Sequence, residues 1–412
     1  MPEVLKNPQF LKLWGNQILL QVGFNMCNYT ALLIIANATH SPFIQAQFYA
    51  ALILPGALLG IIAGPIVDIV NRKNLMLFTD ILLALLFLCY ALVSSQVYLM
   101  ITVAFLTAIV ASFFTPAEAA SLPIIVKQED LNHANSFFLF TLFGSVLLGY
   151  SLAGPVIQFF GGLSKGGANV PFLISSVILI IGFFLRLSLR QIETVKPTIP
   201  TGAFFLKPIK LFLQTITEVY HKKHLLFPII LLIFVEFMVG VMSVLLIEYV
   251  RRYLQLPLET ISYILIGPLI IGLIIGISIL STLERKYGNR LLIYASLLII
   301  GSIIALLGIL PPHISLSYLR DLTILAAVAV GISLVFVAVK SRTLLQVATP
   351  SSMQGRVFSL LSSMTALATP FPVLLLGFSA DRISLLTTIA AIGVFILLVS
   401  FFANLLYKKS FS

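Results

Sequence analysis

Residues 56–73 read Gly56-Ala-Leu-Leu-Gly60-Ile-Ile-Ala-Gly64-Pro-Ile-Val-Asp68-Ile-Val-Asn71-Arg72-Lys73. The glycines recur every four residues along one strip of an apolar helix, where they let a neighbouring backbone come close. The strip ends in an acid, and basic residues follow it. About half a chain further on the pattern returns as Gly272, Gly276, Leu280 and Glu284, followed by Arg285 and Lys286. Glycine spacing alone arises by chance in apolar helices. A matched acid at a matched place in each half points to an internal repeat, and so to a fold built from two similar halves.

Working outward, the chain around these strips is too apolar for a water-soluble fold. Of its 412 residues 59% are hydrophobic and 9% charged, against about 25% charged in an ordinary soluble domain. A soluble protein must still present a wetted exterior; lipid removes that need. A membrane helix takes about 20 mostly apolar residues. Segments of that kind run near 13–35, 43–70, 75–95, 99–119, 136–160 and 171–189, and again near 225–249, 258–283, 291–310, 319–345, 357–380 and 383–407. The expected fold is all-α and integral to the membrane, with twelve spans in two six-helix bundles. The expected organisation is an N-terminal bundle at 1–190, a linker at 191–224 and a C-terminal bundle at 225–412.

The net charge of +11 reads as topology rather than as a nucleic-acid surface, because positive charge is retained in cytoplasmic loops. With both termini cytoplasmic, 20 of the 25 Lys and Arg residues fall on the inner side. The outer loops keep Lys165, Arg251, Arg252, Arg320 and Arg382. The expected location is the cell (inner) membrane, multi-pass. Cys27 and Cys89 lie in apolar segments and form neither a disulfide framework nor a metal spacing. In the linker, Pro197 and Pro200 are followed by Phe204, Phe205, Ile209, Phe212 and Ile216 at helical spacing, with Lys207, Lys210 and Glu218 between them. That pattern predicts a short amphipathic helix on the inner membrane surface.

Six spans, a central loop, six more spans and a repeated loop signature resemble the major facilitator superfamily. The signature Gly-x-x-x-Asp with a basic loop is Gly64 to Lys73 here, with Ile69 and Asn71 where the family commonly has Arg and Gly. Further passages resemble its drug-exporter branch, which contains macrolide-efflux and enterobactin-exporter proteins. They are Leu13-Trp14-Gly15-Asn16-Gln17; Phe113-Phe114-Thr115-Pro116-Ala117 with Leu122-Pro123, Leu131 and Ala134-Asn135-Ser136; and Leu345-Gln346, Pro350 and Gly355-Arg356-Val357-Phe358. The second also looks like lysophospholipid-transporter relatives. Gly144, Gly149 and Gly154-Pro155 resemble the branch's glycine–proline signature in the fifth span. Many relatives carry Gly-Asp in the first span, where this chain has Gly23-Phe24.

The resemblance implies a conformational latch at the inner loop, formed by Asp68, Arg72 and Glu118, with Arg72 paired to Glu118. The bland alternative is topology charge in a wet loop. Glu236, in the middle of the seventh span, costs several kcal/mol to place at the bilayer centre. Such a carboxylate serves as a proton carrier or cation contact, or else is a buried acid hydrogen-bonded to a neighbouring helix. Asp80, a turn inside the third span, divides between structure and coupling. Glu248, Arg251 and Arg252 read as a rim or an outer gate.

Gln17, Gln21, Asn25 and Asn28 mark one polar face on the first span. Transporters of this architecture bind near the midplane where the halves meet. Gln21, Asn25, Asn28, Tyr29, Glu236 and Phe237 are therefore the candidate substrate contacts; interhelical hydrogen bonding or packing is the alternative for each.

No phosphate-binding loop with Lys and Ser/Thr is present, and the five histidines are scattered. The sequence predicts no enzyme, no cofactor and no metal. The expected function is a secondary exporter of a hydrophobic or amphipathic small molecule, working as a monomer in the lipid bilayer by alternating access and drawing on protons. A lysophospholipid or other lipid transporter is the second expectation, and a non-transporting membrane scaffold or sensor the third.

Overall fold

The computed structural model describes residues 3–163, 166–190, 215–220, 222–349 and 354–411. Among them the chain is helical throughout, without strands. The first half comprises α1 (Pro8–Thr39), α2 (Pro42–Ile69), α3 (Arg72–Val93), α4 (Val97–Ile125), α5 (Leu131–Phe159) and α6 (Val170–Leu187). The second comprises α7 (Lys223–Tyr249), α8 (Gly267–Ile309), α9 (Leu316–Ala348), α10 (Gln354–Ala368), α11 (Pro370–Arg382) and α12 (Leu385–Phe411).

Local chemistry sets the ends. Asn7 accepts from the Gln9 and Phe10 amides ahead of α1, and Asn71 accepts from the Asn74 amide at 3.0 Å ahead of α3, satisfying donors that a helix start leaves open. Pro8, Pro42 and Pro370 occupy first helical positions, where the missing N–H is not needed.

Between the caps the helices show lipid what a soluble protein would hide. Leu92 is 81% exposed, Phe140 74% and Leu325 68%. Eleven helical stretches among the described residues are long and apolar enough to cross a membrane. One of them, Leu258–Ile309, has 52 residues, about 78 Å at 1.5 Å per residue and too long for a single crossing of a core about 30 Å thick. Gly288, at φ 74° and ψ 163°, turns the chain inside α8. Only a residue without Cβ adopts that backbone readily. Gly288 thus separates the two expected spans at 258–283 and 291–310, and with this division the described residues hold twelve stretches able to cross a membrane. The expected span at 357–380 is α10 and α11, joined at Thr369–Pro370.

Contacts divide the chain into two compact units. One holds Met1–Thr39 and Ala51–Ile209; the other holds His40–Ala50 and Lys210–Ser412. In the first unit α1 packs on α5 and α6, and α3 on α4 and α6. In the second, α8 packs on α9 and α12, and α9 and α11 pack on α7. The opening turns of α2 group with the second unit, a division that segment boundaries did not anticipate. The α8 glycine strip does what small residues permit: a Cβ on Gly272 would lie 2.1 Å from the Val328 carbonyl oxygen, and one on Gly331 would lie 2.3 Å from that of Leu269.

Of the expected amphipathic linker helix, residues 215–220 are helical. Val219 is buried there with Leu225, Ile229, Leu345, Val357 and Leu360, and Ile216 packs against the same group. Phe204, Phe205, Lys207, Ile209, Lys210 and Phe212 lie outside the described residues.

Candidate functional site

The first unit contains a buried charge cluster built on α1, α3, α4 and α6. Arg186 comes from the last turn of α6 and is fully buried. Its Nε donates to Asp80 Oδ2 at 2.8 Å, and both side chains are inaccessible to solvent. Its Nη1 meets the Met76 sulfur at 2.6 Å and its Nη2 donates to Asn16 Oδ1. Asn16 Nδ2 in turn donates to Asp80 Oδ2 at 3.3 Å. The guanidinium carbon lies 4.8 Å from the centroid of the Phe114 ring, a favourable cation–π placement. Glu118, from α4, reaches Arg186 Nη2 at 3.8 Å, an ion-pair distance beyond hydrogen bonding.

Glu118 thus takes Arg186 as its ion partner, and the expected Arg72–Glu118 pair is corrected. The α6 helix delivers the Arg186 guanidinium directly between Asp80 and Glu118. Arg72 Nη1 instead donates to the Ala120 carbonyl at 3.0 Å. Lys73 Nζ donates to the Leu187 and Leu189 carbonyls at 2.9 and 2.5 Å. Lys73 sits where the end of α6 leaves carbonyls without helical partners, at the negative end of its dipole. The side chain of Asp68 lies outside the described residues.

Sequence reading missed Arg186 as a site residue and counted it as topology charge. Its signal was present: it interrupts the apolar run Phe183-Phe184-Leu185-Arg186-Leu187, where a charge needs a partner.

The polar face of α1 is divided. Asn25 Nδ2 donates to the Gln21 carbonyl at 2.8 Å and to Ser145 Oγ at 3.2 Å, tying α1 to α5. Gln17 and Asn28 are buried, and neither side-chain oxygen accepts a hydrogen bond. Tyr29 stacks on Tyr150, with centroids 4.5 Å apart. Gln21 is half-buried.

In the second unit Glu236 sits at the midpoint of α7 and is exposed. Arg342, on α9, acts on it electrostatically. Phe237 is half-buried and 6.0 Å from Phe234, ring to ring. Just before the Gly288 turn inside α8, Glu284 pairs with Lys340 of α9. Glu284 is the acid that ends the second glycine strip. Glu248 is fully buried and pairs with both Arg251 and Arg252, and Arg252 Nη2 donates to the His40 carbonyl at 3.0 Å. The residues of the expected rim therefore form one cluster that reaches the turn before α2. Among the described residues no group of three or more His, Cys, Asp or Glu side chains could hold a metal.

Residues 13–371 match the family model of the Major Facilitator Superfamily. The chain belongs to that superfamily. It is a multi-pass membrane transporter by family, with the fold that the spans and the repeat led us to expect. It is similar to macrolide efflux protein A of Streptococcus pyogenes, with 23% identity over 399 residues covering 91% of this chain and 90% of that protein. Among solved structures it is similar to the nucleoside transporter NupG, with a TM-score of 0.73, 12% identity and coverage of 97% and 99%. It is also similar to a bacterial homologue of the human lysosomal transporter Spinster, with a TM-score of 0.71, 14% identity and coverage of 98% of each chain. A bacterial homologue of the iron transporter ferroportin gives a TM-score of 0.70, 16% identity and coverage of 96% and 98%. At such identities these structures speak for the fold alone.

The passages that resemble the drug-exporter branch acquire physical reasons in this chain. Trp14 Nε1 donates to Thr141 Oγ1 at 2.8 Å, fixing α1 on α5. Asn16, two residues on, bonds Arg186 and Asp80, and a Cβ on Gly182 would meet its Nδ2 at 2.9 Å. Phe114 covers the Arg186 guanidinium. The first two motif passages thus meet at one buried arginine.

Proposed function

We propose that this chain is a secondary active exporter of a hydrophobic or amphipathic small molecule, working by alternating access and driven by protons. The observation that carries the reading is Glu236: an exposed carboxylate at the midpoint of an apolar membrane helix, without a hydrogen bond to the protein among the described residues. A carboxylate is retained at that depth when it meets water, an ion or a substrate. The likeness to a macrolide efflux protein supports export and makes a macrolide the first probe. In this reading Glu236 and Asp80 serve coupling. Asn25, Asn28, Gln21, Tyr29 and Phe237 contribute substrate contacts with Glu236. Asp68 and Arg72 hold the loop between α2 and α3 as a latch, with Glu118 secured through Arg186. The chain functions as a monomer in the cell membrane with both termini cytoplasmic.

Lipid movement is the second reading. It is supported by an apolar groove of about 220 Å³ along α3 and α6, lined by Ile81, Leu85, Leu88, Ile180 and Phe184. Purified protein in vesicles, given a macrolide or a lysophospholipid with and without a pH gradient, separates the two. Gradient-dependent macrolide movement is the expected result; lysophospholipid movement indifferent to the gradient overturns the exporter reading.

A further inference from the structure

The cluster around Arg186 is unbalanced in charge. Two carboxylates, Asp80 and Glu118, share one guanidinium. Asp80 is inaccessible and Glu118 is 4% exposed. The two acids are not equivalent. Each acid has one buried oxygen that accepts no hydrogen bond, Asp80 Oδ1 and Glu118 Oε1, but Asp80 Oδ2 accepts from Arg186 Nε and from Asn16 Nδ2, whereas Glu118 has only the 3.8 Å ion pair with Arg186. Of the two terminal nitrogens of Arg186, Nη2 donates to Asn16 and Nη1 meets the Met76 sulfur, and neither donates to Glu118, which lies 3.8 Å from Nη2.

The other charges near this layer are occupied elsewhere. On α3, Lys73 is seven residues from Asp80, about 10 Å along the axis, and is bound by two carbonyls at the end of α6. Arg72 bonds the Ala120 carbonyl of α4. On α1, Lys12 donates to the Ser188 carbonyl at 3.0 Å, and the residue bonded into the cluster is the uncharged Asn16. The charges that act on Glu118 are Arg186 and Asp80.

An isolated carboxylate in an apolar interior is far costlier than a neutral acid, and such a group takes up a proton. Where two carboxylates share a site, the one with fewer hydrogen bonds to its charged form is the one that protonates. We propose that Glu118 is a proton-binding site: it holds a proton at neutral pH while Asp80 is ionised against Arg186. When Asp80 is neutral, Glu118 releases its proton and becomes the guanidinium's anion. The carboxyl O–H bond breaks, the proton leaves to water or to the next acceptor, and the electron pair stays on Glu118. The assignment goes beyond the latch role and holds whether or not transport is proton-driven.

Infrared spectroscopy of the full chain in lipid at pH 7 reads the C=O stretch of protonated carboxylic acids. The band component due to Glu118 is expected to be lost in Glu118→Gln and also in Asp80→Asn, where Glu118 must ionise to balance Arg186. In the unsubstituted protein, carboxyl-labelled glutamate is expected to shift that component and carboxyl-labelled aspartate to leave it unmoved, so the assignment does not depend on a variant that folds. A protonated-acid band that moves with labelled aspartate overturns the proposal. So does a spectrum unchanged by Glu118→Gln, or a Glu118 component that survives Asp80→Asn.

Discussion

The Asp381 carboxylate holds the start of α2: its Oδ2 accepts from the Phe43 backbone N–H at 3.2 Å and from the Ser41 hydroxyl. Ser41 Oγ accepts in turn from the Ile44 amide at 3.3 Å. An acid at the end of α11 thereby satisfies donors at a helix start distant in sequence, and favours the positive end of the α2 dipole. Asp381→Ala is expected to lower stability by about 1 kcal/mol, the usual cost of losing a cap. Thermal unfolding in detergent checks this. Ser41→Ala made in the same background should add less than it costs alone, because both serve one cap.

Arg186 predicts a larger effect. Arg186→Met leaves Asp80 and Glu118 buried without a cation, and breaking a buried pair from one side costs about 3–5 kcal/mol. Asp80→Asn combined with Arg186→Met should recover much of that loss, since the pair departs together. Unfolding midpoints of the single and double variants decide the point; equal losses in both would show that Arg186 acts through packing on Phe114 and Met76.

Gly272 and Gly144 form a matched test of close packing. Gly272→Ala places a methyl 2.1 Å from the Val328 carbonyl oxygen, so α8 and α9 must separate, at about 1–3 kcal/mol for an overpacked contact. Gly144, in α5, has nothing within 4 Å of its ideal Cβ. Gly144→Ala should be neutral or stabilising by about 0.5–1 kcal/mol, from helix propensity. Thermal stability of the two variants under identical conditions is the measurement.

Glu236→Gln removes a charge but no hydrogen bond among the described residues. Its unfolding midpoint should stay within the small range of surface substitutions, while movement of a macrolide driven by a pH gradient in vesicles is lost. Full gradient-driven transport by the variant would remove Glu236 from coupling.

Much of the architecture was legible because lipid imposes a simple rule. A span must be long, apolar and self-satisfied in its backbone hydrogen bonds, so α1 to α6 follow directly from runs of apolar residues. The break inside α8 was legible too, because Gly288 stands in the short polar run between two apolar arms. The breaks that escaped notice depend on contacts. Pro370 divides one apolar run into α10 and α11, and the first turns of α2 pack with the second unit through Phe43, Ala46 and Tyr49 against Phe378, Gly377 and Gly240.

The site was less legible. Asp80, Glu118 and Glu236 stood out from sequence because a charge inside an apolar run must have a reason. Their partners did not, because partnership depends on how helices are rotated about their axes and on how far each side chain lies along the membrane normal. Arg72 and Glu118 matched as opposite charges near one end of the bundle, yet Glu118 pairs with Arg186 and Arg72 bonds the Ala120 carbonyl two residues along the same helix.

The sequence by itself determined the membrane class, the count of crossings and the repeat behind Gly56–Asp68 and Gly272–Glu284, since these depend only on local composition and period. Tertiary structure alone decided that α8 and α9 touch through Gly272, that Lys340 answers Glu284, and that Asp80 and Glu118 share Arg186. Coulomb and contact energies follow distance through space, and residues far apart in the chain acquire that distance only when the helices pack.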